Sequence, residues 1–285
     1  MPTARAGDGA GIYYEAWGRR DSAPLLLIPG LTADLRIWAC QRMVFGRRYR
    51  CIALDNRGSG RSDKPPGPYS LAQMADDALA VLDAEEVEAA HILGYSMGSF
   101  AAADLALVQP GRVRSLLLAG TTCRHHEWRR ELLMSWVDVA QTRGVPAMVR
   151  RASRWLLGPA GQRFGLAINL LWPLLLSQPA HAFAAQVEAL LELSDEAAAG
   201  LAAIAVPTLV LAGAADRLTP PADAEEVAGL IPGSSLAIIS GAGHGLMVEA
   251  APDFNAAVLA FLARDSLTSE ASVLLAQDSP ERIAT

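Results

Sequence analysis

Seven short apolar runs recur along the chain, separated for most of its length by stretches of helical periodicity, and this alternation restricts the possible folds more than any other feature. The runs are residues 12–17, 24–28, 50–54, 89–94, 113–118, 208–211 and 235–239. Several are apolar throughout, as strands are when helices cover both faces of a sheet. The pattern predicts an α/β chain with a mostly parallel central sheet flanked by helices. One helix is legible in detail. Ser70 and Gln73 have capping-box spacing, and Leu71, Met74, Ala75, Ala78, Leu79 and Leu82 follow at helical intervals. A helix over residues 71–82, packed on the sheet, is expected.

From residue 124 to 200 the alternation stops, and the segment reads as three or four helices rich in Leu, Ala and Trp. Strand and helix signals resume at Val206. Residues 1–123 and 201–265 are therefore expected to form one core, with 124–200 a helical cap over the carboxyl ends of the strands, where open α/β sheets bind ligands. A helix over 252–262 should end the globular part, leaving the more polar residues 266–285 as a loosely ordered tail. The chain's 285 residues, 52% of them hydrophobic, can bury a large core. A formal charge of −6 without blocks of like charge argues against a nucleic-acid partner. No membrane anchor is expected: the longest apolar stretch, 165–176, is too short to span a bilayer and contains Asn169 and Pro173. With no apolar leader in residues 1–14, the reading is cytoplasmic. Three cysteines, Cys40, Cys51 and Cys123, have no metal-like spacing and are expected to be core thiols.

The chemistry concentrates at strand ends. Gly94-Tyr95-Ser96-Met97-Gly98 is a G-x-S-x-G run between an apolar strand and an Ala-rich helix. A turn tight enough to lift a serine hydroxyl clear of the sheet strains the backbone, and flanking glycines relieve the crowding. Past the strand 208–211 comes Asp216, and past 235–239 comes His244 in Gly243-His244-Gly245. Alone, an Asp there is an ordinary turn residue and a single His is ordinarily structural. Together, in the order Ser, Asp, His, they form a nucleophile, a general base and an orienting acid at one sheet edge. The run Pro29-Gly30-Leu31-Thr32 follows the strand 24–28. It is placed to supply an oxyanion hole from the Leu31 N–H, the second donor being the N–H of Met97.

With these motifs the sequence resembles the α/β-hydrolase superfamily over about residues 10–264. Within it the chain is similar to the group typified by 3-oxoadipate enol-lactonase and carboxylesterases. The similarity rests on residues 55–62 (Asp-Asn-Arg-Gly-Ser-Gly-Arg-Ser), 94–98, 216–220 (Asp-Arg-Leu-Thr-Pro) and 243–252. The resemblance implies the α/β-hydrolase fold with a cap inserted after its sixth strand. It also implies that residues 55–62 form a structural loop near the site. The chain departs from many relatives at Pro29, where they have His, and at Ser99, where they have a second Gly. Because the nucleophile position is Ser, the activities of relatives with Asp there are set aside.

Gly30, Trp38, Tyr95, Cys123, His125, Trp128 and Trp172 are candidates for the substrate pocket. The adjacent pair His125-His126 lacks the i, i+4 spacing of a helical metal site, so no metal is assigned. No cofactor is required. The expected partner is a small, largely apolar ester or lactone, although Arg124, Arg129, Arg130, Arg150 and Arg151 could receive a carboxylate. The same three residues also serve thioester or carbon–carbon hydrolysis, a cofactor-free lyase or cyclase reaction, and peracid formation. A ligand-binding homologue without turnover uses the same fold.

Overall fold

The apolar runs become strands because residues alternate between two covered faces. The structure is a computed structural model that describes residues 2–162 and 178–277. Among the described residues the sheet has eight strands: β1 (Thr3–Arg5), β2 (Gly11–Trp17), β3 (Pro24–Ile28), β4 (Arg50–Leu54), β5 (Ala90–Tyr95), β6 (Val113–Ala119), β7 (Thr208–Gly213) and β8 (Ser235–Ile239). Their order is β1-β2-β4-β3-β5-β6-β7-β8. β2 runs antiparallel to both its neighbours, and every later pair is parallel. This is the α/β-hydrolase fold. β1 escaped the sequence reading because it is three residues long and buries only Ala4, so it makes no apolar run.

Each strand feeds two cores. In β3, Leu26 and Ile28 face one layer while Leu25 and Leu27 face the other, and β4 divides Ile52 and Leu54 from Cys51 and Ala53 in the same way. The first layer is covered by α2 (Leu71–Ala84) and α3 (Met97–Val108), through Ala75, Ala78, Leu82 and Leu105. The second is covered by α1 (Ala39–Gly46), with Phe45. The predicted capping box at Ser70 is present: its side chain accepts from the Gln73 N–H, and the Gln73 side chain accepts from the Ser70 N–H.

Between β6 and β7 lie α4 (Glu127–Arg143), α5 (Val145–Leu156), α6 (Pro159–Gln162), α7 (Ala180–Leu191) and α8 (Asp195–Gly200), with no strand among the described residues. α4, α5 and α7 pack around a separate apolar cluster that includes Leu133, Trp136, Val149, Phe183 and Val187, whereas Ala198 of α8 joins the first layer. The apolar stretch 165–176 lies outside the described residues. After β7 come α9 (Pro221–Leu230), α10 (Leu246–Glu249) and α11 (Ala251–Gln277). α11 covers the second layer with Phe254, Val258 and Leu262. It runs well past residue 262, where the sequence reading ended it. The physical reason is local, since no Gly or Pro interrupts the chain between Pro252 and Pro280. Cys51 and Cys123 are buried as expected, whereas Cys40 is exposed on α1. No helix among the described residues is long and apolar enough to cross a membrane.

His91 in β5 is buried, with Nδ1 2.8 Å from the Ser115 hydroxyl. Burial, aided by the nearby Arg114 charge, pushes its pKa down to about 4. The unfolded chain binds this proton near pH 6.5, so the contribution of His91 is fully present above that pH and is withdrawn as pH falls toward 4. The slope from this residue should be about 1 kcal/mol per pH unit. His91→Gln should keep a partner for Ser115 and flatten the loss of stability between pH 6.5 and 4, read as the pH dependence of the urea midpoint.

Candidate active site

The site begins with a backbone constraint. β5 ends at Tyr95, and Ser96 enters α3 with φ of 50° and ψ of −119°, a conformation that L residues adopt at a cost. The turn brings main chain against main chain. A Cβ on Gly94 would stand 2.3 Å from the Gly98 carbonyl oxygen, and one on Gly98 would stand 2.4 Å from that of Ile28 and 2.6 Å from that of Pro29. Only glycine fits at either position. The Ser96 N–H donates to the Ala119 carbonyl at 2.8 Å, fixing the turn to the end of β6.

The loops after β7 and β8 bring the other two residues to this turn. His244 Nε2 lies 2.9 Å from the Ser96 hydroxyl, and Nδ1 lies 2.7 Å from Asp216 Oδ2. Ser96 is half-buried, while Asp216 and His244 are buried. Asp216 is held by the Leu218 and Thr219 N–H groups on Oδ1 and by the Thr219 hydroxyl on Oδ2. That hydroxyl also lies 3.1 Å from His244 Nδ1. Burial alone would push the Asp216 carboxyl up. The charge and hydrogen bond of His244 and the bonds from Thr219 outweigh it and hold the carboxyl below the ordinary value. The acid is thus ionised and aimed at the imidazole. Thr219 received no role from the sequence, although Asp-x-x-Thr after a strand is a local capping pattern that could have shown it.

The loop after β3 faces the serine. Gly30 lies close enough that an added Cβ would stand 3.0 Å from the Ser96 Cβ. The N–H groups of Leu31 and Met97 donate to no group among the described residues. Thr32 has φ of 63°, a second strained position beside the site. The 55–62 loop supports this one: Asn56 Nδ2 donates to the Pro29 carbonyl at 2.7 Å, and the Asp55 carboxylate accepts from the Leu35 and Arg61 N–H groups. The two departures from the family pattern are both accommodated. Pro29 contributes only its carbonyl, and the Ser99 hydroxyl donates to the Ser96 carbonyl at 2.6 Å while lying 2.9 Å from the Thr121 hydroxyl.

Glu249, within the 243–252 segment, ties the histidine loop to the inserted helices. Its carboxylate accepts from the N–H groups of Gly158, Gly161 and Gly243. The Gly245 N–H donates to the Leu156 carbonyl at 3.0 Å. Gly243 and Gly158 pack backbone to backbone, since a Cβ on Gly243 would stand 2.2 Å from the Gly158 nitrogen.

A cavity of about 170 Å³ opens on Ser96 and His244. Its wall takes Leu31 from the oxyanion loop, Leu133 and Trp136 from α4, Met148 and Leu156 from α5, and Leu190 from α7. Of the pocket candidates from the sequence, Tyr95 and His125 line it. Gly30 sits against Ser96, whereas Trp38 and Cys123 are in the sheet cores and do not reach it. Trp128 is also displaced, because Arg129, Leu133 and Trp136 share one face of α4 at i, i+4 and i+7 and Trp128 is a residue off that face. Its ring stacks instead on Trp155, with centroids 5.7 Å apart, and the Arg129 and Arg217 guanidinium groups lie over the two rings. Trp172 lies outside the described residues. Of the five arginines considered for a carboxylate, only Arg129 reaches the cavity.

Fold, strand-end loops and chain order define an α/β-hydrolase, and the comparisons agree. The family described as alpha/beta hydrolase fold matches residues 23–144, and that described as serine aminopeptidase, S33, matches 173–251. The chain is 31% identical to "Putative carbamate hydrolase RutD" of Azorhizobium caulinodans, over 92% of this chain and 98% of the relative. It is 30% identical to 3-oxoadipate enol-lactonase 2 of Acinetobacter baylyi, over 89% and 93%. Among solved structures, a thermophilic esterase from Thermogutta terrifontis superposes with a TM-score of 0.84 at 26% identity, covering 93% of this chain and 98% of that one. The chain belongs to the α/β-hydrolase family of enzymes.

The elbow geometry gives a direct expectation. Gly98→Ala should destabilise the protein by about 3 kcal/mol or more, because backbone and not a flexible side chain must move. Gly111→Ala, with nothing within 4 Å of the added Cβ, should leave stability within about 0.5 kcal/mol. Chemical unfolding of both variants checks the contrast.

Proposed function

We propose that the protein is a serine hydrolase that cleaves a carboxylic ester or lactone of a small, largely apolar substrate through an acyl-enzyme on Ser96. The observation that carries this reading is the hydrogen-bonded chain Asp216–His244–Ser96 at the mouth of an apolar cavity. The enol-lactonase relative and the esterase neighbour support it, both being named for attack on an acyl carbon bonded to oxygen.

In this mechanism His244 Nε2 takes the proton of the Ser96 hydroxyl as the oxygen attacks the carbonyl carbon. The negative charge that develops on the carbonyl oxygen falls to the free N–H groups of Leu31 and Met97. Asp216, ionised and bonded to Nδ1, holds the tautomer that presents a lone pair at Nε2, and it stabilises the imidazolium once formed. The proton then passes from Nε2 to the leaving oxygen. Water, activated by the same nitrogen, attacks the acyl-enzyme, and Ser96 regains its proton. The inserted helices act as a cap that selects the acyl group.

A fluorophosphonate probe should label wild-type protein at Ser96 and fail to label Ser96→Ala. Turnover in that variant should fall on the order of 10⁶-fold, by analogy with another triad enzyme. Asp216→Asn can still touch the imidazole but favours the wrong tautomer, so kcat should drop on the order of 10⁴-fold with the fold intact. Both are measured on a panel of activated esters and lactones of graded acyl length. Labelling that persists in Ser96→Ala overturns the assignment.

A further inference from the structure

The two oxygens of Asp216 are held in different ways. Oδ1 accepts from two main-chain donors, the Leu218 and Thr219 N–H groups, at 2.8 and 2.9 Å. The partners of Oδ2 are both side-chain groups, His244 Nδ1 at 2.7 Å and the Thr219 hydroxyl at 2.8 Å. The hydroxyl oxygen also lies 3.1 Å from Nδ1, so the three atoms close a triangle.

Only two hydrogens serve its three edges, one on the hydroxyl and one on Nδ1. The carboxylate supplies none: burial works against its charge, yet His244 and Thr219 hold it ionised. A hydroxyl binds an anionic oxygen more strongly than a neutral ring nitrogen, so its hydrogen lies on the edge to Oδ2. The hydroxyl oxygen then meets Nδ1 as an acceptor. Nδ1 thus faces two acceptors, and a ring lone pair at that position would be repelled by both. The proton stays on Nδ1, and the lone pair is left at Nε2, 2.9 Å from the Ser96 hydroxyl.

The Thr219 hydroxyl is not occupied elsewhere. It belongs to a buried residue, has no other partner among the described residues, and sits on a side chain that is stiff at χ1. Without it, Oδ2 would be held only by the imidazole that it has to aim.

We propose that Thr219 is a positioning residue of the triad: its hydroxyl steers Asp216 Oδ2 onto the His244 Nδ1–H and adds a second acceptor at that nitrogen. Its effect on turnover rests on the reading of Ser96 as an acyl-forming nucleophile, whereas its effect on the Nδ1–H does not. Thr219 also lines the cavity, so a hold on the acid has to be told apart from a contact with the acyl group.

The test uses the p-nitrophenyl esters of acetate, butyrate and hexanoate. It compares Thr219→Val, which keeps the shape and loses the hydroxyl, with Thr219→Ser, which keeps the hydroxyl. In Thr219→Val kcat should fall about tenfold on all three esters, the lower end of what a hydrogen bond to a charged group is worth, with KM within about twofold. Thr219→Ser should recover most of this loss. In the Asp216→Asn background Thr219→Val should cost about twofold or less, because the hydroxyl acts through the carboxylate. Proton NMR adds a readout independent of turnover. The His244 Nδ1–H, shifted downfield by its bond to the carboxylate, is identified by its absence in His244→Gln. It should exchange with water about fivefold faster or more in Thr219→Val than in wild type or Thr219→Ser. Should Thr219→Val fail to fold, Thr219→Ala lacks the same hydroxyl and is read in its place. Full activity without the hydroxyl, a loss that varies with acyl length, no recovery in Thr219→Ser, or a further tenfold loss on Asp216→Asn would overturn the proposal. If the wild type turns over no ester and takes no fluorophosphonate, the reading of Ser96 fails by itself. Thr219 is then judged by the Nδ1–H alone: faster exchange without the hydroxyl supports its role, and unchanged exchange overturns it.

Discussion

The contact between the main chain of the Ser96 turn and the end of β3 constrains everything else at the site. Gly98 stands against the carbonyls of Ile28 and Pro29, and Gly94 stands against Gly98 itself, so there is no space for side chains. That closeness lets β5 hand over to α3 within one residue, with Ser96 in a conformation that costs free energy and is held by its neighbours. In the facing loop the Leu31 N–H, like that of Met97 in the turn, donates to no group among the described residues. The parallel pairing of β5 with β3 is what brings the loop after β3 to this turn.

The histidine and its acid come from loops that depend on other parts of the chain. Asp216 is fixed by its own turn, through Leu218 and Thr219, so its aim is largely a local matter. His244 is fixed from two sides. Asp216 holds its ring, and the Glu249 carboxylate and the Gly245–Leu156 bond hold its loop against the end of α5. The inserted helices therefore do more than roof the cavity, because they brace the loop that presents the imidazole. A substitution at Gly158 or Gly243 would disturb both, since their backbones touch.

The cavity combines walls that lack charge with a buried ion pair, Arg129–Asp223, that crosses from α4 to α9. A buried pair of this kind contributes little net stability compared with apolar packing, but it leaves the guanidinium fixed in place with one N–H unused. The stack of Trp128 on Trp155, bracketed by Arg129 and Arg217, reinforces the same corner from outside the cavity.

Much of this was legible in the sequence, for reasons that are local. Apolar runs and a capping box report burial and hydrogen bonding within a few residues, so seven strands and α2 could be read directly. The elbow, Asp216 and His244 were recognisable because each sits in a short motif at a strand end and because their chain order is informative. What could not be read depends on which face of an element meets which neighbour. Trp128 and Trp136 are alike in sequence, yet only Trp136 lines the cavity, since the rotation of α4 is set by its packing on α5 and α7. The role of Glu249 depends on glycines about ninety residues earlier in the chain. β1, with one buried residue, exists only because β2 offers it an edge. Sequence determined the strands and the order of the reactive groups through local patterns. Tertiary structure decided the shape and polarity of the cavity, because those are set where distant surfaces meet.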